Sequence, residues 1–117
     1  MKKEFVPYDI ALAMKELGFN EICMRMYKKG VKHLISTMDM PNAIYSADVK
    51  IQAPLYQQAF RWFREKYSIV GYVHPFNGNY TYSIISNLVE YNNNKKTYEE
   101  AQDACLKKLI EIVRNEK

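Results

Sequence analysis

The dipeptide Asn77-Gly78 constrains the fold of this chain more than any other feature of its sequence. It lies between two segments in which apolar and polar residues alternate, SIVGYVHPF before it and NYTYSII after it. Asn and Gly accept the positive φ angles of a two-residue type I′ turn, which joins antiparallel strands. The sequence therefore predicts a β-hairpin. The short loop also fixes the pairing of its strands: Pro75 with Tyr80, Val73 with Tyr82, and Gly71 with Ile84.

Because side chains alternate between the two faces of a strand, this register gives the hairpin two faces. One face is assigned to the core and holds Ile69, Val73, Tyr82 and Ile84. The other face holds Tyr72, His74, Phe76, Thr81 and Ser83. We interpret the second face as solvated or partly covered, and a ligand surface at Tyr72, His74 and Phe76 is the alternative.

Two further features indicate how this hairpin sits in a sheet. Pro75 has no N–H to donate to a ladder, so its strand is expected to fray or to lie at an edge. The segment LVEYN, residues 88–92, has the composition of a strand and is predicted to add a third.

Three segments have the apolar spacing of amphipathic helices. The first, PYDIALAMKELGF, begins at Pro7 and ends at Gly18, which can adopt the positive φ of a helix C-terminus. The second begins at Pro54 and runs to residue 67. The third begins with the capping box Thr97–Glu100 and keeps its apolar stripe as far as Val113.

A second hairpin is predicted between the first two helices. Residues 22–27, ICMRMY, have the alternation of a strand. Lys28-Lys29-Gly30 is predicted to form a turn, and Val31–Ile35 is predicted to form the return strand. Residues 36–53 have little periodicity and are rich in loop-forming residues. We interpret them as a long connection that contains a short strand near Val49–Ile51.

These elements predict one α+β domain in which an antiparallel sheet of three to five strands packs against three helices. The length of 117 residues fits a single domain. Residues 1–35 would form a helix plus strands, residues 36–53 a long loop, and residues 54–117 a helix–strand–strand–strand–helix unit.

Composition narrows the class of protein. A hydrophobic content of 48% and a charged content of 26% are ordinary for soluble globular proteins. No run approaches the roughly 18 apolar residues of a membrane span, and the N-terminal segment lacks the apolar region of a signal peptide. We therefore expect a cytoplasmic protein without a membrane partner. The net charge of +4 permits a nucleic acid or an acidic partner without requiring either.

The sequence gives no indication of catalysis. His33 and His74 lie at no metal-ligand spacing from each other or from a cysteine, and nucleophile-elbow, Walker and dinucleotide motifs are absent. Cys23 and Cys105 lie in apolar patterns and are expected to be buried, reduced thiols, with a disulfide in an oxidising compartment as the alternative. We predict no metal, no cofactor and no enzymatic activity.

The second helix, APLYQQAFRWFREKY, is the densest aromatic stretch. Its phase assigns Phe60, Phe63 and Tyr67 to the core. Arg61 and Arg64 then lie on the exposed side, with Trp62 between them at intermediate burial. Aromatic and Arg side chains are typical of interface hot spots. Arg61, Trp62 and Arg64 are therefore one candidate interaction surface, and Tyr72, His74 and Phe76 are a second. The alternative is that the Arg side chains cover Trp62 at the rim of the core.

Two lysine clusters lie in predicted turns. They comprise Lys28, Lys29 and Lys32, and Lys95 and Lys96. We interpret both clusters as solvated, with phosphate binding as the alternative.

The segments FVPYDIALAMKELGF, APLYQQAFRWFREKY and TYEEAQDACLKKLIEIV together resemble a family of small uncharacterised proteins from phages and prophages of the Bacteroides group. The resemblance covers both ends of the chain and the middle helix. It implies an origin in a phage or mobile element and expression in the bacterial cytoplasm. It implies no mechanism, because the family has no established activity.

From Pro54 onward, the order of elements also resembles that of a double-stranded RNA-binding domain, which carries basic residues at the start of its last helix. Here Lys95 and Lys96 precede that helix, but Glu99 and Glu100 open it, and these carboxylates would face the phosphates. We therefore predict a non-catalytic phage-type accessory protein that acts through protein–protein contact, with a homodimer as one form of that contact. A nucleic-acid-binding regulatory module is the alternative.

Overall fold

The protein has an α+β fold. The computed structural model describes the backbone of residues 4–36, 50–86 and 89–115 and, within those ranges, the side chains outside 86–92. The elements in these ranges are α1 Tyr8–Glu16, β1 Arg25–Lys28, β2 Ile35–Ser36, β3 Lys50–Ala53, α2 Tyr56–Tyr67, β4 Val70–Phe76, β5 Asn79–Ser86, β6 Val89–Lys95 and α3 Tyr98–Asn115. The chain divides into two compact units, Met1–Tyr56 and Gln57–Lys117.

The predicted antiparallel strands are confirmed, but they form two three-stranded sheets. The first unit holds the sheet β2-β1-β3, and the second unit holds the sheet β4-β5-β6. The predicted helix–strand–strand–strand–helix order is confirmed in the elements α2, β4, β5, β6 and α3.

In the first unit, α1 ends as its sequence predicts. Gly18 has a φ of +106°, and the Phe19 N–H donates a 2.9 Å hydrogen bond to the Met14 carbonyl. Phe19 folds back and is buried, which is the usual accompaniment of such a helix end. The buried Tyr27 hydroxyl donates to the Val6 carbonyl at 2.8 Å and so ties β1 to the segment before α1.

The predicted second hairpin is wrong in its bounds. Strand β1 begins at Arg25. Two residues earlier, the Cys23 N–H donates to the side-chain oxygen of Gln52 on β3 at 2.8 Å. The return strand is confined to Ile35–Ser36. A turn occupies the residues before it: Gly30 has a φ of +85°, and the Val31 N–H donates to the Lys28 carbonyl at 2.8 Å.

The main partner of β1 is β3, along the register from Arg25 opposite Ala53 to Lys28 opposite Lys50. This confirms the short strand predicted near Val49–Ile51, with bounds Lys50–Ala53. Most of the long connection predicted over residues 36–53 lies outside the described residues.

In the second unit, the Asn77-Gly78 hairpin is confirmed in full. Asn77 and Gly78 have φ angles of +49° and +80°, as a type I′ turn requires. The register is the predicted one, with Gly71 opposite Ile84 at the far end. Strand β6 pairs with the other side of β5, so β4 is an edge strand, as Pro75 predicts.

Helix α3 packs on one face of this sheet. The Thr97 half of its predicted capping box is formed, since the Glu100 N–H donates to the Thr97 hydroxyl at 3.1 Å. The Glu100 carboxylate accepts from that hydroxyl at 3.1 Å, whereas a full capping box uses the Thr97 N–H. The predicted core face of the sheet is confirmed for Ile69, Tyr82 and Ile84, which are buried, whereas Val73 on the edge strand is half-buried.

Gly71 allows α3 to approach β4 closely. A Cβ atom at this position would lie 3.0 Å from Cys105 Sγ and 3.1 Å from Leu109 Cδ1. Gly71→Ala is therefore expected to lower the free energy of unfolding by about 1–3 kcal/mol, because it overpacks a filled core. Urea unfolding of Gly71→Ala and of the parent protein measures the effect.

The control for this prediction is Cys105→Ala combined with Gly71→Ala. Removing Sγ opens the space that the new methyl group needs, so the double variant should lose less stability than the sum of the two single variants. If the loss of stability of the double variant equals the sum of the two single losses, the close contact between β4 and α3 is contradicted.

Candidate functional site

The first predicted surface lies on α2, and its aromatic member is buried. Trp62 is only 7% exposed, which corrects the predicted intermediate burial. Its ring lies 5.0 Å from that of Phe63 and 5.5 Å from that of Tyr67, and Lys66 Nζ lies 5.2 Å from its centroid. The Trp62 side chain therefore belongs to the core.

The cause is the phase of the helix. The buried positions are Tyr56, Ala59, Trp62 and Phe63, a stripe at helical spacing that is centred away from the predicted one. Phe60, which was predicted to be core, is half-buried. Arg61 and Arg64 are exposed as predicted, but the structure does not expose an aromatic partner beside them.

The second predicted surface lies on the β4-β5-β6 sheet, opposite α3. We define the open sheet face as Val70, Tyr72, His74, Phe76 and Ile85. Its four large apolar side chains are exposed by 38% at Val70, 44% at Tyr72, 48% at Phe76 and 46% at Ile85. The register places Val70 opposite Ile85, so these side chains extend over two strands.

A polar centre lies within the open sheet face. His74 Nδ1 lies 3.3 Å from the Pro75 carbonyl oxygen, and a carbonyl can only accept, so we assign the ring proton to Nδ1. Nε2 then accepts from the Ser83 hydroxyl at 3.1 Å. The Tyr72 and His74 rings lie 5.4 Å apart. Thr81 and Ser83 were predicted on this face and are buried.

The Ser83 side of this contact lies within the hydrogen-bonded ladders of the sheet. Ser83 lies on the central strand β5, which pairs with β4 on one side and β6 on the other. The ladders take up the N–H groups of a central strand, so none beside Ser83 remains to stabilise an oxyanion. The Ser83–His74 hydrogen bond joins β5 to β4 through their side chains.

Sequence reasoning missed Val70 and Ile85. Both positions follow from the predicted register, since Val70 lies two residues before Tyr72 and therefore on the same face. They were assigned to neither face of the hairpin. The alternation of β4 was the signal that could have placed them on the open face.

The cationic residue of the β4-β5-β6 sheet lies away from the open sheet face. Strands β4, β5 and β6 contain one Lys or Arg residue, Lys95. It pairs with Tyr80, whose ring packs at 5.7 Å against Tyr98 at the start of α3. Lys95 is therefore placed on the α3 side of the sheet.

The thiols are not available for chemistry either. Cys23 and Cys105 are free and buried, as predicted, and burial raises the pKa of the Cys105 thiol to about 12. Within the described ranges, no group of three or more His, Cys, Asp or Glu side chains could hold a metal ion. None of the described helices is long and apolar enough to cross a membrane.

Comparisons with protein-family models, curated proteins and solved structures found no match. The function is therefore inferred from the geometry of the second unit and from the chemistry of its open sheet face.

Proposed function

We propose that this protein is a non-catalytic binding protein that acts through protein–protein contact at the open sheet face. The observation that carries this proposal is the set of four large apolar side chains, 38–48% exposed, on the side of the sheet opposite α3. Apolar side chains gathered on one surface mark interaction sites. Aromatic residues such as Tyr72 and Phe76 are enriched in the centres of protein interfaces.

The chemistry of the face favours a protein over a nucleic acid. Tyr72, His74 and Phe76 could stack on bases, but affinity for nucleic acids comes largely from Lys and Arg contacts to phosphates. The one such residue in these strands, Lys95, is placed on the α3 side. An apolar face without cations fits the apolar centre of a protein interface.

The accessory role in a phage or prophage that the sequence resemblance implies belongs to the same proposal. A small binding protein without catalytic groups fits such a role. The phage origin and the bacterial cytoplasmic location stay predictions.

A photo-cross-linking amino acid at position 76 tests the proposal in living bacterial cells. The Phe76 side chain is 48% exposed on the open sheet face, so we expect an adduct with a protein that survives nuclease treatment. The matched control carries the same amino acid at Met24, which is 72% exposed in the first unit. Adducts that nuclease removes, or equal adducts at both positions, would overturn the proposal.

Two substitutions compare the two predicted surfaces in the same assay. Tyr72→Ser should reduce the yield of the position-76 adduct, because it removes an aromatic neighbour from the binding surface. Arg61→Ala with Arg64→Ala tests the α2 surface, and it should leave the fold intact because both side chains are exposed. Loss of the adduct only in the Arg variant would transfer the binding role to α2.

A further inference from the structure

We propose that the partner of β4 is β4 of a second copy of this chain, paired antiparallel so that the two β4-β5-β6 sheets become one continuous sheet. This inference rests on the proposed function, since it names the partner of the open sheet face. It follows from the edge that β4 presents, from the direction of its backbone groups and from the symmetry of its side chains.

The edge formed by β4 has little of the usual protection against strand pairing. Natural edge strands carry charges, Pro or bulges, or are very short, and Pro75 is the one such feature of β4. Strand β4 has seven residues, and its register with β5 runs without a bulge from Val70 to Phe76. Its sequence, VGYVHPF, contains no Asp, Glu, Lys or Arg, whereas the opposite edge strand β6 carries Glu90 and Lys95. Among the described strands, β5 is the single neighbour of β4.

The hairpin register determines which backbone groups of β4 point outward. In a two-residue hairpin, the residues that close the loop exchange hydrogen bonds, and bonded and non-bonded pairs then alternate. Phe76 and Asn79 close this loop. Gly71, Val73 and Pro75 therefore direct their backbone groups away from β5, and the missing N–H of Pro75 costs the β4–β5 ladder nothing.

A twofold axis at Val73 pairs β4 with itself along its whole length, because Val73 is its middle residue. Val73 faces Val73 of the second copy and exchanges both hydrogen bonds with it. Gly71 faces Pro75 and donates its N–H to the Pro75 carbonyl. A shift of the axis to Pro75 would place a residue without an N–H at the centre, and any shift would shorten the paired length, so we place the axis at Val73.

The same register is self-complementary on the open sheet face. Tyr72 faces His74 of the second copy, and Val70 faces Phe76. Aromatic pairs and aromatic–β-branched pairs stabilise antiparallel sheets, and no like charges meet. Twofold symmetry forms each contact twice, as in the isologous interfaces of most homodimers. The pairing also covers part of the exposed Val70 and Phe76 side chains.

Disulfide formation tests the register directly. A hydrogen-bonded antiparallel pair places its Cα atoms about 5.5 Å apart, within the range for a disulfide. Val73→Cys should therefore give a covalent dimer under mild oxidation. Phe76→Cys is the control, because position 76 faces Val70 and not itself. Since Phe76 is more exposed than Val73, random collision would favour the control, and a higher dimer yield from Phe76→Cys would overturn the inference.

A charge exchange tests the same register without any cysteine. Positions 70 and 76 lie at opposite ends of β4 within one chain but face each other between copies. Val70→Lys with Phe76→Lys should therefore sediment as a monomer at concentrations where the parent protein is a dimer. Val70→Lys with Phe76→Glu should remain a dimer, because each Lys then faces a Glu. Equal sedimentation of the two double variants would overturn the inference.

The outcomes also separate this inference from the proposed function. If the parent protein sediments as a monomer while the position-76 cross-linker captures a different protein, the second copy is not the partner and the proposed function stands. If the chain neither self-associates nor forms a protein adduct at position 76, both are wrong.

Discussion

Replacing Phe63 by Ala should lower the free energy of unfolding by about 3–5 kcal/mol, the usual cost of removing a buried aromatic side chain. Phe63 is fully buried near the middle of α2, and its ring contacts those of Trp62 and Tyr67. A domain of ordinary stability has about 5–15 kcal/mol in total, so the variant should be close to unfolding at room temperature. Urea unfolding monitored by circular dichroism provides the measurement.

Arg64→Ala is the matched control for this experiment. It shortens an exposed side chain one residue along the same helix, so the change should stay within about 0.5 kcal/mol. A loss below about 1 kcal/mol for Phe63→Ala would contradict its assignment to the core.

The sequence could identify Phe63 but not Trp62, and the reason is physical. Aromatic residues occur at positions 56, 60, 62, 63 and 67, and at 3.6 residues per turn they cover an arc of about 160° of the helix. Several apolar stripes therefore have similar periodicity, and tertiary packing decides which one is buried. The structure buries the stripe through Trp62 and leaves Phe60 half-buried.

Strand pairing could be predicted where it is local. The Asn77-Gly78 turn brings β4 and β5 together through two residues, so turn chemistry alone fixes the register. The pairing of β1 with β3 joins residues 25–28 to residues 50–53 across a long connection. No local signal specifies such a partner. The sequence predicted only the pairing of β1 with the downstream segment, which the structure keeps at Ile35 in β2.

In the candidate site, too, the features set by local sequence could be predicted and those set by tertiary contacts could not. Tyr72, His74 and Phe76 were placed on one face by alternation from the turn, and the structure confirms that arrangement. The burial of Thr81 and Ser83 on that face depends on hydrogen bonds such as Ser83–His74, which the sequence does not specify. The sequence left β4 either frayed or at an edge because of Pro75, and the sheet order places it at the edge.

Raising the pH above 9 should destabilise the fold, mainly through the Cys105 thiol. Burial raises its pKa from the ordinary 9.0 to about 12. Between these values the thiol is protonated when the chain is folded and ionised when it is unfolded, so the unfolded state binds fewer protons and stability falls as the pH rises. The loss is about 1.4 kcal/mol per pH unit, or about 4 kcal/mol in total across the interval.

Comparison with Cys105→Ala isolates this effect, because the variant lacks the titrating group and all other groups are shared. The window between pH 9 and pH 10 is the most informative one. Burial also raises the pKa of Tyr27 and Tyr82 above the ordinary value of 10.0, so these residues begin to destabilise the fold only at higher pH. Urea unfolding at closely spaced pH values should give a steeper loss of stability for the parent protein than for Cys105→Ala. Equal slopes in this window would show that the Cys105 thiol ionises as readily in the folded protein as in the unfolded chain, and would contradict its burial beneath β4.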